Sequence, residues 1–305
     1  MTTITTCLSF VHALSPLHAG TGQGAGIIDL PIAREKATGL PYLPGSSLKG
    51  TLRARCENLQ DRRQVFGPDM EGRATDDHHA SSAQFSDQRL LLLPIRSLAG
   101  TFAWVTSPYI LRRFARDITD AQLTLPEGSI PLIESEDHAA VASPTSKIRV
   151  DDTIYLEDIE ITQVATSPDA SVWAGWIAGR VFPNDAAWQT MLLERFCIVH
   201  DDVFNFLIDV ATEVTARIKL QEDAKTVQDG GLWYEEALPT ETILSGIVLA
   251  IPTVRSGIQA SKVFEVLQGL TNTTLQFGGK ATVGRGFCRV QLDGKMGEKT
   301  TDANA

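Results

Sequence analysis

Hydrophobic and polar positions switch period several times along the chain. From Thr2 to Ala13 the sequence TTITTCLSFVHA is β-branched and mostly alternating, which predicts a strand with one buried face, ended by Pro16. Leu48, Leu52, Cys56 and Leu59 recur at helical spacing and predict a helix over Ser47 to Arg63, with Ser46 or Ser47 as its N-cap. Two apolar runs, Leu90 to Leu93 and Thr101 to Thr106, predict strands; Pro108 then opens a helix ending near Arg116. Glu127 to Ser146 is rich in Pro, Ser and acidic residues and reads as an insertion or mobile loop outside the core. Tyr155 to Val164 alternates like a strand, and Pro183 to Phe196 puts Trp188, Leu192 and Phe196 on one helical face. Val214 to Leu220 and Leu232 to Glu236 predict the arms of a projecting hairpin whose turn region carries Asp229, Gly230 and Gly231. The last module is a helix over FEVLQGL, a glycine-rich turn and a strand from Gly286 to Leu292; the polar tail after Asp293 is expected to be disordered. Strands and helices are interleaved, and no unit repeats along the chain.

Composition narrows the class. At 305 residues, 43% hydrophobic and 21% charged, the chain can bury one large core or two modest ones. The longest apolar segments, such as Ile243 to Ile251, are too short to cross a bilayer, and no basic, apolar leader opens the chain; a cytoplasmic protein is expected. Cys7, Cys56, Cys197 and Cys288 stand alone, which argues against a zinc ribbon or redox dithiol and for buried free thiols. A net charge of -10 counts against a nonspecific polyanion binder, which usually carries a basic stripe, but net charge does not describe local charge, so any nucleic-acid site must be local.

Candidate chemistry begins with HAGTGQGAGIIDLP, His18 to Pro31. Gly20, Gly22 and Ala25 fit GxGxxA, but the following IIDLPIAR is β-branched and interrupted by Pro31, so no helix can open there as a dinucleotide site requires. A phosphate-binding NTPase loop needs a lysine, and none occurs before Arg34. The glycines still permit close backbone approach to a long ligand. Lys49 and Arg53, four apart at the start of the predicted helix, can hold an anion together with its N-terminal amides. Asp76-Asp77-His78-His79 imitates metal ligands but reads as a surface segment, since adjacent residues seldom converge on one ion. No G-x-S-x-G elbow supports a serine nucleophile, and Trp173, Trp176 and Trp188 sit in apolar runs as core residues.

Several stretches together resemble the RAMP proteins, the repeat-associated RNA-binding superfamily of CRISPR systems: Pro44 to Gly50 (PGSSLKG), Phe66-Gly67, and Gly278-Gly279-Lys280 through Gly284-Arg285-Gly286. SDQRLLLLPIRSLAGTFAWVTSP, the His18 to Asp29 spacing and LWYEEALP further resemble the backbone subunit of the Cmr-type (type III-B) effector complex. The resemblance implies an α+β, modified RRM/ferredoxin-like fold: one domain over residues 1–292 with a central antiparallel sheet, insertions near 67–84 and 126–150, and a thumb-like hairpin near 213–238. It also implies copies stacked head to tail along one guide RNA (crRNA), other Cmr-type subunits as partners, and metal-dependent cleavage of complementary single-stranded target RNA.

In this family the critical residue is an aspartate of the N-terminal loop, the position Asp29 holds. Asp29 can bind a divalent cation or take the proton of an attacking 2′-hydroxyl, and His18 can move a proton near neutral pH. One carboxylate is a poor magnesium cage, so weak, RNA-dependent Mg2+ binding is expected. Tyr234, Glu235 and Glu236 lie where the family has residues that influence cutting, as part of a site completed by a neighbouring subunit. Ser46, Ser47, Lys49 and Arg53, with Gly279, Lys280 and Arg285, are the expected guide contacts; amides and cations suit phosphates and leave sequence to base pairing. Two other readings remain: a crRNA-binding scaffold that does not cut, and a nucleotide-cofactor enzyme using Gly20 to Gly26.

Overall fold

The structure is a computed structural model that describes residues 4–294 apart from 23, 25, 69–79, 222–225 and 252–255. The Asp76 to His79 cluster, the centre of the expected 67–84 insertion and the tail from 295 therefore lie outside the described residues. The chain runs β1 (Thr5–Ala13), β2 (Tyr42–Leu43), α1 (Gly45–Arg55), α2 (Leu59–Phe66), β3 (Ala83–Phe85), β4 (Gln88–Arg96), β5 (Phe102–Thr106) and α3 (Pro108–Asp120). It continues with β6 (His138–Val141), β7 (Arg149–Val150), β8 (Thr153–Leu156), β9 (Ile159–Ile161), β10 (Gln163–Thr166), α4 (Pro168–Val181), α5 (Ala186–Arg195), β11 (Phe196–Val199) and α6 (Asp201–Ala211). The last elements are β12 (Glu213–Leu220), β13 (Val227–Ala237), β14 (Ile243–Ala250), α7 (Ala260–Thr271), β15 (Leu275–Gln276) and β16 (Phe287–Asp293).

One sheet organises the molecule, in the order β10-β6-β11-β5-β4-β14-β1-β16-β15. Its centre, β4-β14-β1-β16, is antiparallel, while β11 runs parallel to β5 and β10 parallel to β6. Strand β1 is more buried than its alternation predicts. From Cys7 to Ala13 both faces are covered, with Phe10 edge-on to Phe114 of α3 at 5.9 Å and His12 against Phe182 at 5.2 Å. The four cysteines are free and buried, and burial pushes the Cys7, Cys197 and Cys288 thiols up to about 12.

Several expectations need correction. The helix expected over Ser47 to Arg63 is two helices, broken where Cys56 and Asn58 are extended and the Asn58 side chain accepts the N–H groups of Gln60 and Asp61 to cap α2. Neither Ser46 nor Ser47 caps α1; Pro44 stands at that position, and the Gly45 N–H donates to Asp87 Oδ1 at 2.9 Å. Glycine is required at 45 because a Cβ there would collide with the Phe85 carbonyl. The 127–146 segment contributes β6 to the main sheet and buries Ile133 and Val141, so it is core at its end. The Tyr155 to Val164 run divides among β8, β9 and β10, and Phe196 leaves α5 to start β11. The hairpin is β12 with β13, but Gly230 and Gly231 lie within β13, and the Gln221 N–H reaches Thr226 O at 2.8 Å.

Candidate active site and guide-facing loops

The loop after β1 folds back on itself as a narrow ribbon. Ala33 N–H donates to Ala19 O at 2.8 Å, Thr21 N–H to Pro31 O at 3.2 Å, and Gly24 N–H to Asp29 O at 2.8 Å. One arm of this ribbon then lies along β13. Leu30 N–H donates to Tyr234 O at 3.1 Å, Glu236 N–H to Leu30 O at 3.0 Å, and Leu17 and Leu238 exchange two bonds of 2.9 Å. Ribbon and hairpin base form one unit, so the residues expected from HAGTGQGAGIIDLP and from LWYEEALP meet although about two hundred positions separate them. No helix follows the glycines, since Gly20 is bridged to Ile32; the nucleotide-cofactor reading loses its anion-binding helix.

Asp29 is exposed at the rim of this unit. Its Oδ2 accepts the Tyr234 N–H at 2.8 Å, and among the described residues its other oxygen accepts nothing. His18 is buried, with Nδ1 2.6 Å from Glu236 O. A carbonyl only accepts, so Nδ1 carries the proton and Nε2 is the nitrogen left for exchange. The Tyr234 side chain is exposed, whereas its backbone holds Asp29 and Leu30.

Glu235 and Glu236 are not a solvated acidic pair: both are buried and both are paired within this chain. Glu235 accepts from Trp233 Nε1 at 2.7 Å and Lys280 Nζ at 2.8 Å, with Arg217 Nε at 3.3 Å. Burial alone would raise its carboxyl, but the bonds from Lys280 and Trp233 and the charges of Lys280 and Arg217 outweigh burial and hold the pKa at about 2. A carboxyl depressed in the folded state stabilises above its unfolded value, near 4.5, and loses that stabilisation as pH falls toward about 2. Glu235→Gln is therefore expected to lose about 2 kcal/mol at pH 7, allowing for solvent screening at Lys280 and Arg217. In thermal melts the gap to the unaltered chain narrows between pH 7 and pH 3; a constant gap would refute this electrostatic account.

The glycine-rich loop packs on the same unit. Gly279 N–H donates to His18 O at 3.1 Å and Gly286 N–H to Pro16 O at 2.9 Å. Gly278 has φ 72°, and a Cβ there would run into the His18 carbonyl oxygen. Helix α1 joins through Thr51, whose hydroxyl donates to Gln276 O at 3.3 Å. The expected guide contacts thus share one neighbourhood, but most are already engaged. Lys280 is tied to Glu235. Arg53 donates to Gly67 O at 2.6 Å, closing α1 onto the end of α2. Arg285, expected at phosphates, is buried under the hairpin: Nη2 donates to Thr215 Oγ1 at 3.3 Å and Nη1, 3.9 Å from Glu213 Oε2, has no hydrogen-bond partner among the described residues. Lys49 is half-buried and pairs with no carboxylate among the described residues; burial and then the Arg53 charge push its pKa down. Ser46 is exposed at the N-terminus of α1, with Ser47 half-buried beside it, but the Asp87 carboxylate already takes the Gly45 amide there.

Sequence reasoning missed Arg34, which donates from Nη2 to Glu236 Oε1 at 2.6 Å and from Nη1 to Gly39 O at 3.0 Å. Only the need of a buried glutamate for a cation could have signalled it. The hairpin also presents an apolar side. Val214, Ala216 and Ile218 stand opposite Glu236, Tyr234 and Leu232, and Val214, Ile218, Leu232 and Tyr234 are 40–53% exposed. Among the described residues no group of three His, Cys, Asp or Glu converges on a metal position. With Glu235 and Glu236 consumed, Asp29 offers one free oxygen; this set does not fit a resident metal ion, which needs several protein oxygens.

The sequence profile of the RAMP superfamily matches residues 10–289. A Pyrococcus furiosus protein named CRISPR system Cmr endoribonuclease Cmr4 is 35% identical over 289 residues, 92% of this chain and 94% of its own length. The crystal structure of oligomeric Cmr4 from Pyrococcus furiosus aligns with a TM-score of 0.72 at 28% identity, over 95% of this chain and 98% of that one. A chain of a type III-B Cmr-beta complex in the apo state aligns with a TM-score of 0.71 at 22% identity, over 96% and 98%.

Proposed function

Because the chain belongs to the RAMP superfamily, we propose that it is the crRNA-binding backbone subunit of a type III-B CRISPR effector complex and the endoribonuclease that cuts the complementary target RNA. One observation carries the cutting assignment: Asp29 is an exposed carboxylate pinned through one oxygen to the Tyr234 amide, with its other oxygen unspent. That oxygen takes the proton of a target 2′-hydroxyl as the 2′-oxygen bonds to phosphorus. The P–O5′ bond breaks, and the leaving oxygen takes its proton from Nε2 of His18, which enters this step as the imidazolium with its Nδ1–H still on the Glu236 carbonyl. Glu235 and Glu236 have no oxygen to spare for this step and act by holding the ribbon and the glycine loop. Guide phosphates lie along Ser46, Ser47, Lys49, Gly279 and Lys280, with Arg53 and Arg285 shaping that surface from beneath.

Copies stack head to tail, the exposed apolar side of the β12–β13 hairpin reaching the neighbour and the duplex, alongside other Cmr-type subunits. No described helix is long and apolar enough to cross a membrane, and we place the complex in the cytoplasm. Magnesium, on this reading, arrives with the target phosphate instead of residing in the protein. The test is cleavage of guide-complementary RNA by the reconstituted complex. Cutting is expected in magnesium and to fall at least 100-fold on chelation, while guide binding persists; unchanged cutting in chelator would remove the metal from this account, and no cutting under any condition would favour a pure scaffold.

A further inference from the structure

Glu236 touches the ribbon at more points than any strand residue needs for pairing. Its N–H donates to Leu30 O at 3.0 Å, and its carbonyl accepts His18 Nδ1 at 2.6 Å. Its carboxylate takes the Ile32 N–H at 3.0 Å on Oε2 and Arg34 at 2.6 Å on Oε1. The first arm of the ribbon, through His18, and the second, through Leu30, Ile32 and Arg34, are thereby fastened to one residue. Asp29 lies at the end of the second arm, next to Leu30, and takes the Tyr234 N–H from the same strand.

The side chain of Glu236 is 3% exposed, so its charge depends on its partner. Among the described residues Arg34 is the cation that meets it; the other carboxylate near Arg34, Asp209 at 3.5 Å from Nη1, is 77% exposed and contributes little. Without Arg34 the carboxylate would be buried with a single amide donor. A buried charge stripped of its partner is costly to keep in place, so the carboxylate swings toward water and Ile32 loses a charged anchor.

We infer that Arg34 is a positioning residue for RNA cleavage: through the buried Glu236 it locks the two arms of the N-terminal ribbon, and so fixes Asp29 and His18 against β13. This rests on the functional reading above. Arg34 touches no reacting atom. Its guanidinium suits the task because the planar fork serves Glu236 and the Gly39 carbonyl at once, which a lysine ammonium cannot do with the same geometry. Displacement of a reacting group by about 1 Å can cost on the order of 100-fold in rate.

The experiment compares the unaltered chain, Arg34→Met, Arg34→Lys and the double variant Arg34→Met with Glu236→Gln, each in the assembled complex with guide and complementary RNA in magnesium. Arg34→Met is expected to slow cutting about 10- to 100-fold with guide binding unchanged, and Arg34→Lys to slow it less. The double variant is expected to regain at least tenfold over Arg34→Met, since the amide still accepts the Ile32 N–H and leaves no buried charge. Hydrogen exchange on the RNA-free chain supplies a readout independent of cutting. The Leu30 and Ile32 amides should exchange faster in Arg34→Met and return toward normal in the double variant. The proposal is overturned if Arg34→Met cuts at the unaltered rate, or if the double variant is no better than the single. If the unaltered complex does not cut, the functional reading has failed, and hydrogen exchange alone decides the clamp. If Arg34→Met does not assemble, Arg34→Lys carries the rate comparison, and normal cutting by it would count against the fork geometry.

Discussion

Asp29→Ala abolishes target cleavage, lowering the rate by about 1000-fold, and leaves guide binding intact. The magnitude follows from the loss of a positioned proton acceptor, which contributes roughly 100- to 10,000-fold in general base catalysis. The selectivity follows from geometry. Asp29 is exposed, and among the described residues the one hydrogen bond its side chain makes is from the Tyr234 N–H, a group at the rim where water can replace the lost acceptor. The cost in stability is therefore about 1 kcal/mol or less, far from unfolding the chain. Asp29→Asn sharpens the test, because the amide oxygen still accepts from Tyr234 while the charge and basicity are gone. Both variants should be inactive with normal melting and normal guide retention. Cutting by Asp29→Asn near the unaltered rate would reduce Asp29 to a turn former and move the nuclease elsewhere.

The residues of this site differ in how far the sequence could announce them. His18 and Asp29 belong to one loop, and their exposure and pairing depend on glycines nearby in the chain, so local reading reaches them. The hairpin was legible too, because the alternation over Val214 to Leu220 survives in the structure as an exposed apolar face. What the hairpin residues touch was not. Glu235 and Glu236 look like solvated charges on a strand; their burial comes from Lys280 and Arg34, which tertiary folding brings from opposite ends of the chain. Arg285 fails in the opposite direction: a cation in a glycine loop suggests a phosphate contact, but Gly286 turns the chain so that the guanidinium lies under β12.

The same distinction holds for the fold. Asn58 broke the expected helix because its side chain satisfies two amides in an extended conformation, a local competition that apolar spacing at Leu48, Leu52, Cys56 and Leu59 conceals. The 127–146 segment looked like a loop because β6 is only four residues long and is buried by β10 and β11, its neighbours in the sheet and not in the chain. Short strands completed by distant partners carry little periodicity of their own.

Gly278→Ala is expected to be severely damaging although the residue performs no chemistry. The position has φ 72°, which costs an L-residue about 1–2 kcal/mol, and the added Cβ would meet the His18 carbonyl oxygen. Because that oxygen belongs to backbone and accepts the Gly279 N–H, it cannot rotate away as a flexible side chain would. The glycine loop and the ribbon must part, breaking the Gly279–His18 bond and moving Lys280 away from Glu235. A loss of about 3 kcal/mol follows, roughly 5 °C in Tm for a chain of this size. Cleavage and guide binding should fall together, since His18 lies on one side of the contact and Lys280 on the other. Gly269→Ala, in α7 with open space around its Cβ, is the control: a helical site where alanine is neutral or stabilises by up to about 1 kcal/mol. If Gly278→Ala melts and cuts like the unaltered chain while its guide binding holds, the two loops are not mechanically joined at His18, and the shared platform for guide and target must be abandoned.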